Sequence, residues 1–295
     1  MHPARIAELL QPFLSPISNP CHSEPGGKPG EEPAVLSPTQ LQSISTYIDV
    51  LMRWNARINL TAIRNEEEIV TRHFGESLFM ARHLFPKSVE DVSNVEEGLS
   101  VARAPSPANA DSAQLPAIPQ SSIPCHPEQS EGPHAPKTRH LGHSASNPAP
   151  SAQHVLDIGS GAGFPALPLK IWAPQIHLTL IESNHKKTTF LREVARTLTL
   201  TDINVITDRA EVAARNKDVP RAQVVTLRAV EHFETILPQA VAFMAPKAIM
   251  ALLIGATQLT HLTTATTLNW DHPIPIPQSQ SRVLSIGRNH QVEIY

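Results

Sequence analysis

HVLDIGSGAGFPALPLKIWAPQIHLTLIESNHKKTTFLREVA, residues 154 to 195, decides the fold. An apolar run (Val155, Leu156, Ile158) ends in Asp157 and the turn Gly159-Ser160-Gly161-Ala162-Gly163. A helix start follows at Pro165, and a second apolar strand, Leu178 to Ile181, ends on Glu182. Strand, glycine turn, helix and a strand with a terminal acid make half of a nucleotide-binding α/β sheet. Glycines let the backbone approach a ligand and supply turn conformations of positive φ. The acid at the second strand's tip sits where a ribose presents its two hydroxyls. A glycine turn that merely reverses the chain is the plainer alternative; the order of the parts argues for a nucleoside-type ligand.

Two ligand classes compete for such a turn. NAD needs its pyrophosphate on the helix N-terminus, with a GxGxxG turn packed against the strand. Here the turn is GxGxG, followed by Phe164 and Pro165, a spacing that suits S-adenosylmethionine better. That molecule has no phosphate; it carries an amino-acid end and a sulfonium cation, which gives Asp157 electrostatic sense.

Working outward, the chain reads in three parts. Ser37-Pro38-Thr39-Gln40 is a helix start, with Ser as cap, Pro at the first position and Gln at the third. Leu41, Ile44, Tyr47, Ile48 and Leu51 follow at helical spacing. Asn65, followed by Glu66, Glu67 and Glu68, starts a second helix with Ile69, Val70, Phe74, Leu78, Ala81 and Phe85 on its apolar face, closed by Pro86. Residues 1–86 therefore read as a small helical cap, with low complexity over 15–33.

Residues 87–152 read as a disordered proline-rich insertion. Within 88–152 stand ten prolines and no Phe, Tyr or Trp, too little apolar surface to offset an ordering entropy of about 1–2 kcal/mol per residue. Cys21-His22 and Cys125-His126 recur in similar surroundings, but adjacent ligands lack the gap of a zinc pair, so no metal is expected. From residue 153 to 295 strands and helices alternate, with strands over Ile203–Ile206, Val224–Leu227 and Ala248–Ile254 and a closing strand or hairpin from Arg282. The fold class expected is α/β, doubly wound.

The full chain has 295 residues, 28 prolines, 4% aromatics and a net charge of −3. That balance argues against a generally basic coat, so RNA contact has to come from a local patch. The two cysteines imply no disulfide framework, and no apolar run is long enough to span a bilayer. A cytoplasmic monomer with no membrane partner is expected.

LDIGSGAGFPALPL resembles the cofactor loop of the bacterial 16S rRNA guanine-N7 methyltransferases, the glucose-inhibited division protein B family. WNARINLTAIRNEEEIVTRHFGESL, Trp54 to Leu78, is similar to that family's N-terminal signature, and TDRAE (207–211) and TLRA (226–229) resemble its later segments. The resemblance covers about residues 36–86 and 153–255. It implies a class I, Rossmann-like methyltransferase sheet, S-adenosylmethionine as cofactor, and methylation of N7 of a guanine in the 530 loop of 16S rRNA, free or in the 30S subunit.

Carried onto this chain, the resemblance implies a cofactor site of Asp157, Gly159, Ser160, Gly161, Gly163, Phe164, Glu182, Ala210, Glu211 and Arg228. Arg228 ends the fourth strand, facing the transferable methyl, and is the expected catalytic residue; a surface ion pair is the alternative. Phe164 lies against the cofactor or seats the helix. Arg53, Arg57, Asn59, His73 and Lys186 are expected on the RNA side, with Arg53 and Arg57 one turn apart on one helix. Guanine N7 carries a free lone pair and no proton, so alignment suffices and no general base is needed.

Departures are present too. Leu253-Ile254-Gly255 stands where the family commonly has Leu-Lys-Gly, and Gly75-Glu76 replaces a different residue and Asp before Ser77. A catalytically weak RNA-binding relative, an NAD-linked oxidoreductase and a proline-rich scaffold are the rival readings. Deletion of residues 90–150 separates the last of these, since methyl transfer is expected to survive it.

Overall fold

The computed structural model describes residues 1–15, 35–87, 152–228 and 233–289. The insertion expected over 87–152 and the low-complexity stretch over 15–33 fall, but for end residues, outside these, as do both Cys-His pairs and the tail beyond Asn289. One compact unit spans Met1–Val89 and Ser151–Tyr295.

Its frame is a sheet of β1 (His154–Ile158), β2 (His177–Ile181), β3 (Ile203–Ile206), β4 (Ala222–Arg228), β5 (Met244–Gly255), β6 (Asn269–Trp270), β7 (Ile274–Pro275) and β8 (Arg282–Arg288). The order is β3-β2-β1-β4-β5-β8-β6, with β7 also on β8. β1 to β5 run parallel; β8 runs antiparallel to β5. The order reverses direction between β1 and β4, and in open α/β sheets ligands bind at the carboxyl ends of the strands beside such a switch. The doubly wound expectation holds.

Strand alternation sends neighbouring residues to opposite faces. Val155, Leu178, Leu180, Val224, Ala251 and Leu253 join one core; Leu156, Ile158, Val225, Leu227, Met250 and Leu252 join the other. The first core is covered by α1 (Pro3–Leu14), α2 (Pro38–Asn55), the helical run Glu66–Leu84, α5 (Ala166–Trp172) and α6 (His185–Thr197). The second is covered by α7 (Ala210–Ala213), α8 (Phe233–Val241) and α9 (Leu262–Ala265), the last reached through a 3₁₀ turn at Ala256–His261.

The N-terminal helices therefore form a structural layer of the sheet. α2 starts as its sequence predicts: the Ser37 hydroxyl accepts from Gln40 N, and the Gln40 side chain accepts from Ser37 N. That same Gln40 side chain donates to the Ile171 carbonyl, tying the cap to α5. α1 was not anticipated; Pro3 opens it, and Ile6, Leu10, Phe13 and Leu14 are its buried face. The expected single helix from Asn65 is instead α3 (Glu66–Glu68), a π-helical stretch (Ile69–Gly75) and α4 (Glu76–Leu84). At Gly75 a Cβ would stand 2.6 Å from the Phe13 ring, so glycine there lets α1 close onto the π turn.

Candidate active site

The glycine turn is held by its neighbours before any ligand arrives. Gly159 N and Ser160 N both donate to the Ile181 carbonyl, at 2.8 and 3.1 Å, which pins the turn to the end of β2. Gly159, Gly161 and Gly163 have φ of 69°, 55° and 85°. At Gly163 a Cβ would also run into the Tyr47 hydroxyl and Leu167, so only glycine fits. At Gly161 the space is open, with only the Gly159 carbonyl near, at 3.7 Å. The Tyr47 hydroxyl donates to the Ala162 carbonyl, so α2 braces the turn from the helical layer.

Two acids flank this cradle. Glu182 is buried and accepts from Gly161 N at 2.9 Å and from Asn184 N at 2.8 Å, one amide to each carboxylate oxygen. Each oxygen keeps lone-pair capacity for a further donor. Asp157, opposite Thr226 in the β1–β4 register, accepts from the Thr226 hydroxyl through Oδ1 at 2.6 Å. Its Oδ2 is buried with no hydrogen-bond partner. Burial, opposed chiefly by the Thr226 hydrogen bond, pushes this carboxyl up to about 7. An orphaned buried acceptor beside an open backbone cradle suits a ligand that brings a cationic donor.

Phe164 lies in the core. Its ring stacks on Tyr47 at 5.3 Å and on His73 at 4.6 Å, with Phe74 edge-on. Ala210 is buried at the start of α7, and Glu211 is a partly exposed side chain 3.8 Å from Arg209.

Arg228 is the main surprise. It is no surface ion pair: its side chain is 7% exposed and turned toward the helical layer. One terminal nitrogen donates to the Arg72 carbonyl at 2.6 Å and to Glu76 at 3.0 Å; the other meets His73 Nδ1 at 2.9 Å. Because arginine only donates, His73 Nδ1 accepts and the ring proton lies on Nε2, against the Thr61 hydroxyl at 2.8 Å. Burial, then Arg228, Arg72 and Arg282, pull His73 down to about 3, so it is neutral. Burial likewise lowers Arg228, to about 10, leaving it charged at neutral pH.

Glu76 is the centre of this cluster. It receives Arg228, Arg282 Nε at 3.1 Å and Arg72 Nε at 3.6 Å. The sequence marks Glu76 only as a departure, Tyr47 only as part of an apolar helix face, Thr226 only within the TLRA segment and Arg282 only as the start of a closing strand. Of the residues expected on the RNA side, Arg53, Arg57, Asn59 and Lys186 are exposed, whereas His73 is half-buried against the Phe164 ring. Arg57 lies past the end of α2, in a turn closed by its N–H to the Trp54 carbonyl, so the expected pairing with Arg53 on one helix is not found. Ile254 is buried in the second core opposite Val283, and Arg282 enters the same edge opposite Gly255.

The sequence model for rRNA small subunit methyltransferase G matches residues 40–94 and 138–273. The chain belongs to that family. The methyltransferase G of Roseiflexus castenholzii is 33% identical over 203 residues, 68% of this chain and 59% of its own. That of Bacillus pumilus is 26% identical over 272 residues, covering 88% and 87%. That of Bacillus subtilis is 27% identical over 202 residues, covering 68% and 58%. The chain thus spans about three-fifths of the length of the first curated methyltransferase G relatives it matches. No helix among the described residues is long and apolar enough to cross a membrane, and no cluster of three or more His, Cys, Asp or Glu there could hold a metal.

Proposed function

We propose that this chain transfers a methyl group from S-adenosylmethionine to N7 of a guanine in 16S rRNA. The observation that carries the reading is the orphaned Asp157 oxygen beside an open glycine cradle, in a chain of the methyltransferase G family. Asp157 Oδ2 would take the cofactor's cationic amino-acid end, and Glu182, with one amide on each oxygen, would accept the ribose hydroxyls. Gly159, Ser160, Gly161 and Gly163 contribute backbone alone, and Ala210 and Glu211 stand where the base would lie. Phe164 acts by seating the turn, since Tyr47, His73 and Phe74 surround its ring.

The bound cofactor supplies an electrophilic methyl on a sulfonium. The chain's own residues have to exclude water and fix the acceptor. Guanine N7 needs no deprotonation, which suits a site whose one histidine is neutral and already committed at both nitrogens. Arg228, held by Glu76 and His73, presents a fixed positive charge near the end of β4, where it orients the acceptor base without exchanging a proton. Arg53, Arg57, Asn59 and Lys186 offer exposed groups to the RNA backbone.

Labelled S-adenosylmethionine incubated with unmethylated 16S rRNA and with 30S subunits tests this reading. Transfer of label to RNA is expected. Cofactor binding with no transfer to either substrate rejects it in favour of an RNA-binding relative, and binding of NAD in place of S-adenosylmethionine rejects it outright.

A further inference from the structure

Beside the Glu76 cluster lies a cavity of about 280 Å³, walled by Phe13, Thr71, Arg72, Glu76, Arg282 and the 277–281 turn. It opens at the edge of the sheet where β8 begins opposite the end of β5, the same edge that carries Asp157, Glu182 and Arg228. Its charge is unbalanced. Three guanidiniums meet one buried carboxylate, and among the described residues the one further acid in an ion pair with them is Glu68, half-exposed and 3.8 Å from Arg72.

The three arginines differ in what they have left to give. Arg228 already donates to the Arg72 carbonyl, Glu76 and His73. Arg72 makes two ion pairs, at 3.6 and 3.8 Å, both longer than a hydrogen bond, and is half-exposed. Arg282 touches Glu76 only through Nε, out of hydrogen-bond alignment, and otherwise reaches the Leu253 carbonyl at a long 3.5 Å. Two planar forks with unspent donors therefore face one polar cavity, and Glu76 holds them there without neutralising them.

We infer that Arg72 and Arg282 form a phosphate subsite, and that its ligand is a phosphodiester of the RNA strand whose base enters beside Arg228. Guanidinium forks match the paired oxygens of a phosphate better than any neutral group does. Glu76 is then a positioning residue: its Oε2 holds both Arg282 and Arg228, and its Oε1 faces Arg72. The choice of RNA over a free phosphate rests on the methyltransferase reading above, so the test is built to separate the two.

Arg72→Gln, at a half-exposed position, and Arg282→Lys, which keeps the charge and loses the fork, are the variants. In RNA binding measured from about 50 to 200 mM salt, Arg72→Gln is expected to flatten the log–log salt slope by about one unit, the effect of one lost phosphate contact. KM for RNA should rise about tenfold with kcat and cofactor affinity little changed, and Arg282→Lys should show a smaller rise of the same kind. Inorganic phosphate should compete with RNA more than chloride of equal ionic strength does, and Arg72→Gln should abolish the difference. Unchanged salt slope and KM in both variants, in a chain that methylates RNA, overturn the subsite alone. Phosphate binding that Arg72→Gln removes, in a chain that methylates no RNA, upholds the anion site, overturns its assignment to RNA and rejects the methyltransferase reading.

Discussion

The carboxyl edge of the sheet holds two charged regions of opposite design. At the glycine turn, acceptors are in excess: Asp157 keeps an unpaired oxygen and Glu182 has a single amide on each of its two. At the Glu76 cluster, donors are in excess: three guanidiniums share one buried carboxylate. The first region suits a small cation-bearing ligand, the second a polyanion. Between them run the Tyr47–Phe164–His73 stack and Arg228, so a ligand on one side meets the other through packed rings and a fixed charge. The chemistry proposed here needs both halves, one to hold a donor and one to hold RNA.

Breaking the donor-rich half should have the largest effect. Glu76→Gln leaves the buried Arg228 and the partly buried Arg282 without their carboxylate, and removing one partner of a buried pair costs about 3–5 kcal/mol. A urea unfolding series should show that loss; a change under about 1 kcal/mol means solvent already screens the cluster.

The acceptor-rich half is sharpened by Asp157→Asn. The Thr226 hydrogen bond can persist, so the fold should stand while calorimetry shows cofactor affinity lower by about 10- to 100-fold, the worth of one charged hydrogen bond. Unchanged affinity removes Asp157 from the site. The packing of α1 onto the π turn beside the donor-rich half is probed by Gly75→Ala, which drives a Cβ into the buried Phe13 ring and should cost about 1–3 kcal/mol.

The smallest effect is a cancellation. Asp157, raised to about 7, keeps a proton in the folded state that the unfolded chain releases near 4, so its contribution falls as pH rises from about 4 to 7. His73, lowered to about 3, refuses a proton that the unfolded chain takes up near 6.5, so its contribution rises with pH from about 3 to 6.5. The two slopes oppose each other in the wild type. In Asp157→Asn the opposing slope is gone, and unfolding midpoints should climb more steeply between about pH 4 and 6.5 than in the wild type.

The two halves also differ in how far the sequence reveals them. The acceptor side lies mostly within residues 154–184, where strand period, glycine turn and terminal acid are local patterns that can be read; Thr226, a neighbour only through β1–β4 pairing, the Asn184 amide on Glu182 and the Tyr47 brace cannot. The donor side joins Arg72, His73 and Glu76 to Arg228 and Arg282, more than 150 residues further on, and no periodicity records such a meeting. Arg228 was singled out for its place at a strand end, but its partners could not be read. α1 carried readable signals in Pro3 and the spacing of Ile6, Leu10 and Phe13. The π turn did not, because its apolar residues fit an α-helical face nearly as well.

Nucleoside mass spectrometry of unmethylated 16S rRNA treated with this chain and S-adenosylmethionine tests the central claim most directly. One new N7-methylguanosine is expected, present with the wild type and much reduced with Asp157→Asn at cofactor concentrations that just saturate the wild type. A methyl group on any other atom, or none while the cofactor is demonstrably bound, contradicts it.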